Sequence, residues 1–277
     1  MTTVDLFVGL VSHGQSRYRG SQGADGLAEQ ISSHFEGSLL AVNTRNFADE
    51  QELTATKDTV QRSLSAEMRA DVTWARYLGR DRNPRWMMLH LLRLMRRQGR
   101  RVVAPASTTV QRLLNIELSH LDLLTRGIAS NADWLLILED DAFSSDVAEL
   151  AAGIRHFAEN HDGSHLVNLS RSFTLEELGL DKHLHEDPVE SWLPGSQRHL
   201  LRSSKPATNT VCAVLYSKEA AVSIRSQLEA MPIDPVLPID WKLNMALVQL
   251  CDGPAQALVT SWFVDPAPIE QMSMWDS

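Results

Sequence analysis

Three consecutive acids, Glu139-Asp140-Asp141, follow the apolar run Leu135-Leu136-Ile137-Leu138. Carboxylates in a row at the end of a buried segment suit one chemistry above others. Hard cations such as Mg²⁺ or Mn²⁺ take oxygen ligands, and one or two carboxylates commonly hold them together with substrate phosphate. In an open α/β sheet, ligands bind just outside the carboxyl ends of the strands. The triplet is therefore placed to bring a cation and a diphosphate together. The plainer alternative is that the acids cap a following helix, since negative charge favours helix N-termini.

Other groups add to this set. Val11, Ser12 and His13 end a first apolar run and open the polar turn Ser12-His13-Gly14-Gln15-Ser16. Such a first strand-to-loop junction commonly holds a nucleotide. Asn43 and Arg45 stand in the polar end of the next run, Asn43-Thr44-Arg45-Asn46. Asp240 lies between Pro238 and Trp241, a restrained position for a general base, and its plainer role is a helix cap. Glu270 is its rival, in a less restrained tail. Asp181 to Asp187 has the composition of a metal site, but a solvated loop accounts for it without a ligand.

These residues need elements to position them. Leu135–Leu138 is too short for a stable helix and has the length of a strand buried on both faces. Strands are also expected at Phe7–Val11, Ser38–Val42, His165–Leu169, Val211–Tyr216 and Leu258–Val264, with a short one at Val102–Ala104. Helices are expected over 25–36, 107–128, 145–159, 218–230 and 241–251. In 107–128, Leu114, Leu118, Leu121 and Ile128 form one stripe. Residues 49–82 read as helix and loop. Residues 171–207 are a long excursion between two strands, and such excursions are usually functional or mobile. The tail from Asp265 to Ser277 reads as irregular. The alternation of strands and helices implies an α/β fold, with a mostly parallel central sheet flanked by helices. At 277 residues one domain accommodates it, with 1–143 as a nucleotide-binding half and 144–277 as an acceptor-binding half.

Composition narrows the classes. A net charge of −9 argues against general nucleic-acid binding. Cys212 and Cys251 lie in apolar surroundings without zinc-like spacing, and read as reduced core thiols of a cytoplasmic protein. The N-terminus reads as a first strand rather than a signal peptide, and no apolar run reaches the roughly 18 residues of a membrane span. No glycine-rich dinucleotide fingerprint, GxxxxGK or GxSxG occurs. One segment stands apart: Arg80 to Arg101 carries eight arginines and one aspartate, +7 against −16 for the rest. Within it, Trp86–Arg97 reads as a helix with a broad apolar face, which is either core or a surface that docks on an anionic membrane face.

Asn115-Ile116-Glu117-Leu118-Ser119-His120, followed by Leu135 to Asp141, resembles the GT-A fold of nucleotide-sugar glycosyltransferases. The closer likeness is to glycosyltransferase family 25, which includes bacterial lipopolysaccharide galactosyltransferases and procollagen galactosyltransferases. That family has a helix with a Ser-His pair, a hydrophobic strand ending in Glu-Asp-Asp, a strand and helix like Thr210 to Ala221, and a Pro-x-Asp like Pro238-Ile239-Asp240. The order matches over roughly residues 110–245. The resemblance implies that Asp141 ligates Mn²⁺ or Mg²⁺, that Asp140 approaches the ribose or the metal, and that Glu139 supports them. Two features depart from related enzymes. Gln271-x-x-Met274-Trp275 carries Met274 where a QxxRW motif has arginine, and no histidine lies beyond His199 to serve as a C-terminal metal ligand.

The expectation is a metal-dependent glycosyltransferase with a UDP-sugar donor and a glycan or glycolipid acceptor. The alternatives are a nucleotidyltransferase, which lacks its basic triphosphate loop here, and a catalytically silent sugar- or partner-binding domain. Asp141 is expected at a solvent-facing rim, where an isosteric amide would change stability little.

Overall fold

A computed structural model describes residues 4–12, 23–43, 69–80, 84, 88, 92, 107–185, 190–231, 237–252 and 259–272. Its centre is an eight-stranded sheet. The strands are β1 (Leu6–Val11), β2 (Leu39–Asn43), β3 (Trp134–Glu139), β5 (His165–Asn168), β6 (Glu190–Ser191), β7 (His199–Ser203), β8 (Ala213–Ser217) and β9 (Thr260–Asp265). They lie side by side in the order β2-β1-β3-β8-β5-β9-β7-β6. β1 pairs in parallel with both β2 and β3, and β5 with β9; β8 and β7 run against their neighbours. The sheet is thus mixed, with most strands pointing one way. A separate two-stranded pairing joins β4 (Ala142–Phe143) to β10 (Glu270–Gln271).

Helices cover both faces, which is why the strands read as continuous apolar runs. Leu135 to Leu138 are 0% exposed, and each such side chain contributes about 1.5–3 kcal/mol by leaving water. The pleat sends Leu6, Val8, Leu10, Leu136 and Leu138 toward α1 (Ala24–Ser33) and α3 (Val147–Asn160). Phe7, Val11, Leu135 and Ile137 face α2 (Ser107–Ala129), α5 (Lys218–Ala230) and α6 (Ile239–Asp252). α2 lies against the strands at Gly127, where an added Cβ would sit 2.4 Å from Leu135 Cδ2. A third apolar cluster joins the helical stretch 69–77 to α6 and β9 through Trp74, Tyr77, Met245 and Phe263.

Helix starts follow local chemistry. Asp146 accepts from Glu149 N at 2.8 Å to begin α3, and Ser217 Oγ accepts from Ala220 N at 3.2 Å to begin α5. α4 (Leu175–Leu178) has a reciprocal Thr174/Glu177 capping box and stops at Gly179, with φ 77°.

Several expectations need correction. α1 ends at Ser33, short of residue 36. The 171–207 excursion holds α4, a 3₁₀ turn at Asp181–His183, and the strands β6 and β7 that complete the sheet. Their shortness and polar content hid them. The described part of the tail is not irregular: β10 returns to β4, and Ile269 bridges Ser170; residues 273–277 lie outside the described residues. Asp240 lies inside the first turn of α6, because Lys242 N already donates to Pro238 O at 3.1 Å. Met88 and Leu92 are helical and 62% and 51% exposed, so these two are not core. The rest of the Trp86–Arg97 helix and Val102–Ala104 lie outside the described residues.

Candidate functional site

Register brings the first candidates level. Val11 pairs with both Asn43 and Glu139, so the ends of β2, β1 and β3 form one carboxyl edge. Val11 itself is buried and offers that edge no polar side chain. Ser12 N donates to Asn43 O at 3.0 Å as the chain leaves the sheet. Its hydroxyl is buried and, among the described residues, has no hydrogen-bond partner. An orphaned buried hydroxyl costs free energy unless something satisfies it, so a ligand at this edge would stabilise it. The buried Asn43 donates from Nδ2 to Asp122 Oδ2 on α2 at 3.0 Å. His13 and Arg45 lie outside the described residues.

Glu139 ends β3 on the face that carries α2 and α6. His120 Nε2 lies 3.3 Å from its Oε1, and the imidazole is all but fully buried. Asp240 joins them from α6. Burial pushes its carboxyl above the usual range, and the negative charge of Glu139 adds to the rise. The Trp241 N–H, which donates to Asp240 Oδ1 at 2.9 Å, acts in the opposite direction, as does His120. A partly buried carboxyl that holds its proton more tightly is a stronger base when ionised. Behind these groups Lys242 Nζ donates to Glu117 Oε2 at 2.5 Å, both side chains buried. Glu117 and His120 are one turn apart on α2, as Asp240 and Lys242 share the start of α6, so the two helices meet through paired charges.

The acid triplet is divided. Asp140 is partly buried in the turn after β3. Asp141 is only 6% exposed and turns toward the other side, where Gln271 Nε2 donates to its Oδ2 at 3.1 Å and Cys212 Sγ lies 3.6 Å from its Oδ1. Burial, then the charge of Asp141, holds the Cys212 thiol well above its ordinary range. The expectation of a solvent-facing rim at Asp141 is therefore wrong. The turn that follows β3 carries the chain across the sheet edge, and the returning β10 covers it. Met272 N also donates to Asp141 O at 2.8 Å.

Glu270 sits on β10 opposite Phe143, with its side chain exposed. Of the 181–187 segment, residues 181–185 are anchored rather than free: His183 Nε2 is 3.3 Å from Leu78 O, and Leu184 bridges Ser203; residues 186 and 187 lie outside the described residues. At the ends of β5 and β9 a small cleft is lined by Ser170, Arg171, Leu175, Asn209, Phe263 and Asp265, among others. Arg171 pairs with Asp265 at 2.8 Å across it.

His120 was legible only through its likeness to a Ser-His pair. Gln271 stood out only as the start of an incomplete QxxRW spacing and Glu117 only within the Asn115–His120 segment, while Lys242 carried no signal; each acquires its partner from far away in the chain. Among the described residues, no group of three His, Cys, Asp or Glu side chains is gathered to hold a metal. No helix of the described residues is long and apolar enough to cross a membrane. No protein-family model matches the chain. No curated protein matches it either.

Proposed function

We propose that this chain is a cation-dependent glycosyltransferase, moving a sugar from a nucleotide diphosphate sugar, with UDP as the nucleotide, to a glycan or glycolipid hydroxyl. One observation carries the reading. Glu139 and His120 meet 3.3 Å apart from β3 and α2, and Asp240 on α6 feels the charge of both, at the carboxyl edge where Asn43 and the Ser12 hydroxyl, without a partner among the described residues, also lie.

The donor set fits Mn²⁺ or Mg²⁺. Glu139 and Asp141 face different ways, so at most Asp140 and one of them would meet such an ion, which commonly takes one or two carboxylates and completes its shell with substrate phosphate. When bound, such an ion neutralises charge on the leaving diphosphate. The chain's own residues do the rest. Ser12 and Asn43 bind the nucleotide end, and His120 keeps the Glu139 carboxylate in one orientation. Asp240 takes the proton of the attacking hydroxyl as its oxygen bonds to the anomeric carbon and the bond to the diphosphate breaks. Residues 80–101, with Met88 and Leu92 exposed and a net +7, are proposed to meet an anionic membrane face that carries the acceptor.

One observation favours a second reading, a silent sugar- or partner-binding domain: the Asp141 carboxylate is already engaged by Gln271. A panel of nucleotide sugars with Mn²⁺ separates the two. Release of free UDP from a UDP-sugar, lost in Asp240→Asn, supports the enzyme. Saturable binding with no turnover for any donor supports the silent domain.

A further inference from the structure

We propose that His161 is the pH-gated half of a two-point latch that holds the β6–β7 hairpin against α3. The latch is closed while both ring nitrogens carry protons, and it opens at its β6 end when one proton is lost. The device is independent of the transfer chemistry and uses none of its residues.

The hairpin Glu190–Ser203 is tied to α3 at two places. Near the start of the helix, Ser196 Oγ and the Arg198 guanidinium both donate to the Glu149 carboxylate. At the other end His161, the residue that caps α3, places Nε2 2.9 Å from Glu190 Oε2. Between the two ties Trp192 is 0% exposed and lies against Gly153, where an added Cβ would meet the indole. Arginine keeps its charge throughout the neutral range, whereas histidine changes charge between about pH 5 and 8. Only the His161 tie therefore responds to pH in that range, and the strand it secures is two residues long.

The partners of two neighbouring histidines fix where a proton sits. Nδ1 of His161 lies 3.0 Å from Phe157 O, and its Nε2 faces an ionised carboxylate. Both partners only accept, so both contacts are hydrogen bonds only when both ring nitrogens carry protons. A neutral ring keeps one bond and turns a lone pair toward the other acceptor. The ring also stacks on Phe157 with centroids 4.0 Å apart, and an aromatic face attracts a cation. His165, with its ring centroid 5.8 Å from that of His161, has the opposite demand. Its Nδ1 accepts from Trp262 Nε1 at 3.2 Å, and an indole N–H only donates. Its Nε2 then donates to Asp162 O at 2.9 Å, so both bonds require a neutral ring. Burial holds the His165 imidazole below its ordinary range, helped by the charges of His161 and of Arg202 on β7. The Asp162 carbonyl and Glu219 on α5 act in the opposite direction. The hydrogen bonds of the pair are thus complete with one added proton, and its place is His161.

The test follows the proton and the hairpin by NMR on the full chain. At about pH 6 the His161 ring should read as doubly protonated and His165 as the neutral Nε2–H tautomer. Between about pH 6 and 8, exchange protection of the Glu190, Ser191 and Trp192 amides, corrected for the intrinsic pH dependence of exchange, should fall. A fall of about threefold to fivefold is the scale of a partly exposed ion pair. The Arg198 amide, at the other tie, should stay level. His161→Gln offers Glu190 an N–H at every pH, so its protection should not change over this range. Glu190→Gln can accept from a protonated Nε2 or donate to a bare one, and should also be level. A parent chain with level protection, a variant that keeps the parent's fall, or a first proton found on His165 overturns the proposal. Should His161→Gln fail to fold, the result for Glu190→Gln, at a half-exposed position, decides alone.

Discussion

Lys242 donates to Glu117 across 2.5 Å, joining the first turn of α6 to α2 where neither side chain meets solvent. Buried pairs of this kind add little net stability over apolar residues of similar shape, but removing one partner strands a charge. Lys242→Met alone should cost about 3–5 kcal/mol in urea denaturation. Adding Glu117→Leu should recover most of that loss. A double variant as unstable as the single one would mean that Glu117's loss of this lysine is not what destabilises Lys242→Met.

Asp240 carries a pH signature as well as a catalytic one. Its carboxyl titrates higher in the folded chain than in the unfolded one, chiefly through burial. Over that window the folded state holds the proton and the unfolded state has lost it, so stability falls as pH rises through it. Asp240→Asn removes the fall. The variant should gain stability over the parent at about pH 7 and show little gain at about pH 2, where the carboxyl is largely protonated in both states. Turnover with both substrates saturating should drop sharply while donor affinity holds, as for an interaction made mainly in the transition state. Near-normal turnover would leave Asp240 a structural residue and make the exposed Glu270 the next base to test.

Asp141 should now affect stability. Asp141→Ala leaves the Gln271 amide without its acceptor and should cost about 1–3 kcal/mol. Asp141→Asn keeps an acceptor oxygen and should cost less. Both should weaken Mn²⁺-dependent UDP binding, measured by calorimetry. Retained binding in the Asn variant would count against a metal role.

Gly127→Ala tests the close approach of α2 to the sheet. The new methyl meets Leu135 at 2.4 Å from Cδ2 and 2.8 Å from Cγ. Overpacking of about 1–3 kcal/mol should outweigh a helix-propensity gain of about 1 kcal/mol. A thermal midpoint at or above the parent's would show that the interface yields easily.

The arginine-rich segment should confer salt-sensitive attachment to anionic vesicles. Replacing Arg96, Arg97, Arg100 and Arg101 by Gln should abolish it and leave turnover on a soluble acceptor unchanged. If the parent ignores anionic vesicles even at low salt, the membrane proposal is dropped.

Much of the frame was legible from local pattern. The apolar run before Glu139 could only be a strand buried on both faces, and the register Val11↔Glu139 confirms its place beside β1. The ends of α5 agree with the expectation to the residue, because Ser217 caps its start. These features depend on neighbours in the chain, where the period of side-chain direction is fixed by the backbone.

What the chain could not announce is who meets whom across the sheet edge. Glu139 and Asp141 are two residues apart and look equivalent, yet one faces His120 and the other Gln271. Lys242 looks like an ordinary solvated lysine of a helix until strand order brings α6 against α2. β6, β7 and β10 are too short or too polar to show a period of their own, and exist because β7, β9 and β4 respectively offer them partners. Local sequence sets which way each side chain points from its own backbone. Only the order in which the strands assemble decides which charges end up facing one another out of water.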